Sequence, residues 1–420
     1  MAQHDYQLAD QNGLGFLNDV NDLATAIATR NSGATEPAVK FQFMEWPDTT
    51  SGYMKVRDAA NTGWLIKHKL SEGELALLAG SLTQDFAAQK LTLSGRLHEP
   101  RSTVFHKTDS ALPAFTKTGA GTISVLAGTA AMVAGVLVEF VADTAVAMPS
   151  LTAGTDYAIY FCTDGTVRAD ANFSAPTGYT TANSRRIGGF YYAPGGNAAA
   201  RAGGDTTPAI NARSIWDLRW RPACPDARGM AYEYGGFWAD CWPLNTDPET
   251  NGTSRFNATI ADGASPPKIH TKFGGDGTTT YPAGNWWDLA ECLRAFGKRP
   301  PTYSEFAELA FGSTEASSAG TDPGTCILRA AYTSQSGIFL ATGNMWMWGD
   351  EFGGGAAAAA WEANTGGRGS TYQMENAVRF GGGWAAAADS GSRSSLWNAS
   401  PTDSADSIGV RGVCDHLQLD

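Results

Sequence analysis

The side chains of this 420-residue chain that could do chemistry are few and widely spaced. Six cysteines stand at positions 162, 224, 241, 292, 326 and 414. A thiolate is a nucleophile and a soft-metal ligand, and zinc or redox work calls for paired spacing such as Cys-x-x-Cys. No such pair occurs, and Cys414-Asp415-His416 crowds three donors into one short, isolated segment. The cysteines therefore read as buried, reduced thiols. Cys224 and Cys241 flank one expected hairpin, which leaves their proximity open. Only His270 and His416 of the six histidines fall in the second half of the chain, and no Ser/His/Asp set can be built from them. Asp350 and Glu351 could act as an acid pair, yet neighbouring acids on a loop are ordinarily solvated or bind calcium. No catalytic residue and no cofactor follow; a structural calcium or magnesium is left open.

The elements that would position any site belong to a turn-rich, aromatic-rich chain. Gly (49), Pro (19) and Trp (13) are abundant while charged residues make up only 17%, which argues against coiled-coil rods and helical bundles. At 43% hydrophobic the chain can build cores. Its net charge of −12 and the lack of any Lys/Arg block exclude a phosphate-binding surface, so nucleic acid is not an expected partner. Met1-Ala2-Gln3-His4-Asp5 does not begin a secretory signal. The most apolar run, 123–138, is interrupted by Ser124, Gly128, Thr129 and Gly135 and is shorter than the ~18 residues a membrane span needs. Two buried strands around a turn account for it. Folding in a reducing cytoplasm without membrane insertion is the expectation.

Along the chain, Leu17, Val20, Leu23, Ala24 and Ile27 recur at helical spacing until Asn31-Ser32-Gly33 stops them. Phe41-Gln42-Phe43 and Tyr53-Met54-Lys55-Val56 read as a hairpin. Ser71-Glu72-Gly73-Glu74 fits a capping box ahead of a stripe of Leu75, Leu78, Leu82 and Phe86, either a helix packing on its own domain or a place where three copies meet. Strands are expected over 136–141, 157–161 and 189–192. The Gly/Ala/Asn/Thr stretch 194–208 reads as a linker, and eleven of the 13 Trp lie beyond it. There, Asn285 followed by 286–296, and Thr302-Tyr303-Ser304-Glu305 ahead of Phe306, Leu309 and Ala310, give two helix signals closed by Gly297 and Gly312. Long loops pinned by Trp are expected in the rest of a compact α+β domain.

Arg299-Pro300-Pro301-Thr302-Tyr303-Ser304-Glu305-Phe306 resembles the R-L-P-T-E-x-E-W segment of the formylglycine-generating-enzyme branch of the C-type lectin fold. Trp348-Gly349-Asp350, Arg379-Phe380-Gly381-Gly382-Gly383-Trp384 and Gly409-Val410-Arg411-Gly412-Val413 follow in the order of that family's W-G-D, R-G-G-S-W and G-F-R-V segments. Gly391-Ser392-Arg393-Ser394-Ser395-Leu396-Trp397 and the run from Gly409 to Leu417 are similar, more narrowly, to variable proteins of the phage tropism-determinant type, which retroelements diversify at adenines. The N-terminal 100 residues, with Asn31-Ser32-Gly33-Ala34-Thr35-Glu36-Pro37-Ala38, are similar instead to the front ends of phage tail-fibre proteins. No similarity to the tropism-determinant type is found over residues 1–200, so its N-terminal domain types are not expected.

The resemblance implies a multidomain chain of α+β and all-β parts: an attachment domain at 1–70, a helical connector at 71–98, a β-sandwich-like domain at 99–204 and a C-type lectin-fold variable domain at 205–420. Oxidases of that fold need two cysteines before the motif arginine as copper ligands, and Ala385-Ala386-Ala387-Ala388-Asp389 holds none. Calcium-dependent lectins carry Glu-Pro-Asn or Gln-Pro-Asp and then Trp-Asn-Asp; the first two are missing and Trp397-Asn398-Ala399 breaks the third. An oxidase relative and a bacterial cell-surface binding protein are the rival readings. The leading one is receptor binding by a tail fibre of the virion, a homotrimer assembled in the host cytoplasm with other tail proteins and meeting a bacterial surface protein or glycan. By resemblance the solvent-facing, changeable positions are Gly383, Ala385, Ala386, Ala387, Asp389, Leu396, Asn398, Ala399, Asp403, Ala405, Ser407 and Ile408. The alanine runs 356–360 and 385–388 predict feeble contact at a single site, because binding hot spots favour Trp, Tyr and Arg.

Overall fold

A computed structural model describes residues 3–70, 104–353, 361–363, 370–372 and 376–418. The capping box at 71–74, the stripe from Leu75 to Phe86 and the alanine run 356–360 lie outside the described residues. The chain divides into two compact units, Met1–Gly95 and Arg96–Asp420.

In the first unit, helix α1 (Gly13–Ala28) starts where the Asn12 side chain accepts a hydrogen bond from the Gly15 amide. It ends where Arg30 and Asn31 turn to positive φ. The helix expected from Leu17 to Ile27 is therefore present and begins earlier, but its apolar stripe is not buried: Ala26 is enclosed while Leu14, Leu17 and Ile27 are exposed. Strands β1 (Glu45–Asp48), β2 (Tyr53–Arg57) and β3 (Trp64–Lys69) form an antiparallel sheet in that order. The expected hairpin placed its first strand at 41–43. Phe43 instead has φ 63°, which breaks an extended run, and pairing starts at Glu45. Pro47 fits because β1 is an edge strand and needs no ladder donor on its open side.

The second unit opens with two small sheets. β4 (Phe105–His106), β7 (Thr129–Val133) and β8 (Val136–Phe140) form one, and β5 (Phe115–Gly119), β6 (Thr122–Val125) and β9 (Thr144–Ala145) the other. The apolar run thus supplies two strands around a turn, each to a different sheet, and then the start of β8. β10 (Thr155–Cys162) lies between β11 (Val167–Asp170) and β12 (Ser184–Ala193), and β12 also pairs with β13 (Ala209–Ile210) and β14 (Trp216–Asp217). Phe115, Phe140, Phe161 and Phe190 fill the space among these sheets. Lys107 reaches the buried Asp217 at 3.0 Å, and Asp217 also accepts from the Ala114 amide at 2.7 Å. The 194–208 stretch is no free linker: Ala198, Gly203 and Gly204 donate main-chain hydrogen bonds to Ser334, Gly312 and Ala330.

Beyond it, β15 (Trp220–Pro222), β16 (Met230–Glu233), β17 (Phe237–Asp240) and β24 (Val413–Gln418) make a sheet ordered β15-β24-β17-β16. Between them in sequence lie the one-turn α2 (Pro248–Asn251) and the two longer helices α3 (Trp286–Ala295) and α4 (Tyr303–Leu309). The latter pair stand where their caps place them. Asn285 accepts from the Asp288 amide, and Thr302 and Glu305 form a reciprocal capping box. β18 (Trp346–Gly353), β21 (Asn376–Phe380), β22 (Ser395–Ala399) and β23 (Ile408–Gly409) form a sheet ordered β22-β21-β18-β23, and β19 (Trp361–Ala363) pairs with β20 (Ser370–Tyr372).

Tryptophans anchor this region. Trp242 stacks on Phe339 with centroids 4.4 Å apart and donates to the Tyr191 hydroxyl at 2.7 Å, and Trp286 donates to the Gly349 carbonyl at 2.8 Å. Lys298 is buried with Asp240 at 2.5 Å and donates to Thr253 at 2.7 Å. Removing one member of a buried ion pair leaves an uncompensated charge. Lys298→Met should therefore cost about 3–5 kcal/mol, read from denaturant unfolding followed by Trp fluorescence. A loss below about 1 kcal/mol would mean that Asp240 finds other compensation.

Candidate binding surface

The segment 376–410 is built as a fastened main chain with small side chains pointing away from it. Gly381 and Gly382 both take φ 88°, and a Cβ at Gly382 would lie 2.3 Å from the Ser390 hydroxyl, so the β21 exit requires glycine. The chain then bridges in parallel to Asn344 at Gly383. Ala386 donates back to the Gly383 carbonyl at 3.0 Å, and a 3-10 turn follows over Ala387–Asp389. Ser318 holds this loop from outside, its hydroxyl donating to the Trp384 carbonyl at 2.7 Å and accepting from the Ala387 amide at 3.0 Å. Ser394 donates to the Asp389 carbonyl at 2.6 Å. Every tie is made by main chain or by serines outside the changeable set.

The next segment is held by main chain and by one changeable side chain, Asp403. Trp346 donates to the Ser407 carbonyl at 2.9 Å, and the Ala405 carbonyl accepts from Gly263 at 3.0 Å and Ile408 at 3.1 Å. Arg379, opposite Leu396 in the β21–β22 pairing, lies 3.7 Å from Asp403 and packs over the Trp348 ring. Burial holds its guanidinium below the usual arginine value. Two groups of positions result on this sheet, one around Trp346 (Gly383, Ser407) and one around Arg379 (Leu396, Asp403).

Nine of the twelve sequence-derived positions reach solvent: Ala385, Ala387, Asp389 and Asn398 are exposed, and Ala386, Leu396, Asp403, Ala405 and Ser407 are half-buried. The other three do not. Ala399 (0% exposed) and Ile408 (2%) are core residues packed with Trp348, Ala377 and Val410, because each sits at a strand position whose side chain faces inward. Gly383 is enclosed too, and a Cβ there would meet the Trp346 indole at 3.1 Å. These three are corrections to the expected outward face.

The groups that could have done chemistry are accounted for structurally. All six cysteines are buried and free. The Cys224 thiol donates to the Asp226 carbonyl at 3.1 Å and shares a core cluster with Cys414, while Cys241 belongs to a separate one. His416 Nδ1 accepts from the Trp238 indole at 2.9 Å, and burial lowers its pKa. Glu351 accepts from the Tyr303 amide at 2.8 Å, so it serves the start of α4 rather than pairing with Asp350. Among the described residues no cluster of three or more His, Cys, Asp or Glu is placed to hold a metal.

The loop at 383–394 is fastened independently of its outward side chains. The model of the Mtd second domain matches residues 113–217. The chain is 53% identical over 332 residues to a tail fiber receptor-binding protein of Bordetella phage BPP-1, covering 77% of this chain and 87% of that one. Among solved structures, the U1 and I1 variants of the Major Tropism Determinant match at 47% and 48% identity, each with a TM-score of 0.76 over 90% of this chain and 96% of theirs. The chain belongs to the major tropism determinant family. The likeness also overturns the expectation that residues 1–200 lack it: the matched domain lies at 113–217, and the shared β-rich architecture extends over nine-tenths of the chain. Short strands carry few distinctive residues, so this part of the family pattern left no motif to read.

Because the loop is tied by residues outside the outward set, a combined Ala385→Ser, Ala387→Asn, Asp389→Tyr and Asn398→Tyr variant should keep its melting temperature within a few degrees, about 1 kcal/mol or less. Ala399→Phe, which overpacks the core, should lose about 1–3 kcal/mol or more. Differential scanning calorimetry distinguishes the two outcomes.

Proposed function

We propose that this chain is a tail-fibre receptor-binding protein of a phage virion, setting host range by non-covalent attachment to a bacterial surface molecule, a protein or a glycan. The observation that carries the reading is the 53% identity to a tail fiber receptor-binding protein across most of both chains. The 205–420 region is the C-type lectin-fold tip, and Ala385, Ala386, Ala387, Asp389, Leu396, Asn398, Asp403, Ala405 and Ser407 form its changeable contact surface. Residues 1–70 attach to other tail proteins, 71–98 connect, and the β-rich part, which runs on through β14, carries the tip. The reading invokes no bond-making step and no cofactor.

Preorganisation supports it physically. A loop already held by Ser318, Ser394 and main-chain bonds loses little further freedom when a partner docks, so different side chains can be tried at low ordering cost. The exposed alanines offer little area and no hot-spot residues, so each copy binds weakly and attachment depends on many copies acting together. A homotrimer meets that need, and the exposed Leu14, Leu17 and Ile27 of α1 suit contact between copies.

Labelled protein should adhere to a subset of bacterial strains, and the fourfold variant above should lose or redirect that adhesion with its fold intact. Adhesion unchanged by the four substitutions would remove this surface from recognition. Light scattering should give three copies per particle; a monomer at micromolar concentration would remove the avidity argument.

A further inference from the structure

A cavity of about 610 Å³ opens in the second unit between the turn Ala212–Ser214, the β16–β17 hairpin, α4 and residues 392–393. That size is typical of small-molecule sites. None of the changeable positions lines it. Its walls carry the guanidinium groups of Arg201, Arg213 and Arg393, and among the described residues none of the three makes a salt bridge or a side-chain hydrogen bond. The Arg213 guanidinium carbon lies over the Tyr234 ring, 3.5 Å from its centroid, a contact that holds the group without using its donors.

Among the described residues the neighbouring carboxylates make no ion pair with these arginines, although Glu233 and Glu308 act on Arg213 against the lowering of its pKa by burial. Glu308 accepts from the Gly235 amide at 2.6 Å, and Glu315 accepts from the Ser392 amide at 3.0 Å and hydroxyl at 2.6 Å. Glu233 is 2% exposed, and its Oε1 has no hydrogen-bond partner. Burial pushes the Glu233 carboxyl up to about 8; Ser336 lowers it, the Glu308 charge raises it, and Arg213 and Arg411 lower it. At neutral pH Glu233 is therefore mostly a neutral acid able to donate, not a counter-charge. The rim adds flat apolar surface: Tyr234 is 78% exposed and Phe311 45%.

Idle guanidinium forks select carboxylates and phosphates, and exposed aromatic faces beside them select the C–H face of a ring. We propose that this cavity binds an acidic sugar, a pyranose bearing a carboxylate or a phosphate, with Arg213 and Arg393 holding the anion and Tyr234 and Phe311 the ring. The site is separate from the changeable surface and stands whether or not that surface recognises a receptor. It gives the protein a second, constant handle on the charged glycans of a bacterial envelope.

The test is calorimetric titration of the full chain, in its native oligomeric state, with galacturonate and mannose 6-phosphate against galactose and mannose. At least one acidic sugar should bind about tenfold or more tighter than its neutral counterpart, and Arg213→Ala and Arg393→Ala should each remove most of that preference. Which acidic sugar binds tells a carboxylate from a phosphate ligand. Should Arg213→Ala disturb the fold, the more exposed Arg393 carries the test alone. Raising the pH from about 7 to 9 should weaken binding as Glu233 ionises among Glu308, Arg213 and Arg411, and Glu233→Gln should abolish that dependence. The fourfold variant at 385, 387, 389 and 398 should bind the sugar as the unaltered chain does, which separates this site from the proposed receptor surface. No binding of either acidic sugar, equal binding of neutral ones, or affinity indifferent to both arginines would overturn the proposal.

Discussion

Arg411 brings a guanidinium into the interior of the second unit, where it is 1% exposed, and donates at 2.6 Å to the carbonyls of both Asp240 and Phe339. Those carbonyls belong to the end of β17 and to a loop a hundred residues away in sequence, so one side chain joins the C-terminal sheet to the long irregular region. Burial lowers its pKa to about 10, which still leaves it charged at neutral pH. A buried charge is tolerated only where hydrogen bonds and nearby opposite charge replace water. Here the two carbonyls supply the bonds, and Asp240 lies nearby, paired with Lys298. The β17–β24 sheet, the loop carrying Phe339 and the Trp242–Phe339 stack therefore depend on one another.

This arrangement explains how so much loop can be rigid. Irregular backbone has no ladder of its own, and its polar groups must be met by other partners. In this chain they are met by Arg411, by Trp286, by Ser318 and by Ser394, while the indoles supply apolar area that the short strands cannot. The stabilising groups point inward or along the backbone. The small side chains at 385, 387 and 389 are left without a structural task, and a surface free of structural tasks can change its chemistry without changing its shape.

The second unit also shows two kinds of surface with opposite physical character. The 383–408 region presents alanines and short polar groups on a fastened frame. The cavity beside α4 presents charged forks and aromatic faces assembled from residues at 201, 213, 234, 311 and 393, with an orphaned buried acid behind them. In the second, Glu308 and Glu315 also hold the Gly235 and Ser392 amides, so those two carboxylates carry structure while the arginines do not.

Local chemistry was legible from the residues alone. The starts of α3 and α4 follow from Asn285 and from Thr302 with Glu305, since a cap bond spans only three residues and needs nothing distant. The strands near 136–140, 155–162 and 184–193 follow from β-branched and aromatic runs between turn residues. Facing and partnership were not legible. Nothing near Ala399 or Ile408 in the sequence distinguishes them from Asn398 or Ser407; the sheet turns the first two inward against Trp348. Cys224 has Cys414 beside it rather than Cys241 because β24 returns from the far end of the chain to lie along β15. The three arginines of the cavity come from segments up to nearly two hundred residues apart, and only folding places them on one wall. Sequence determines what a few neighbouring residues can do for each other; long-range packing determines which side of each strand meets water, and so which residues are free to bind.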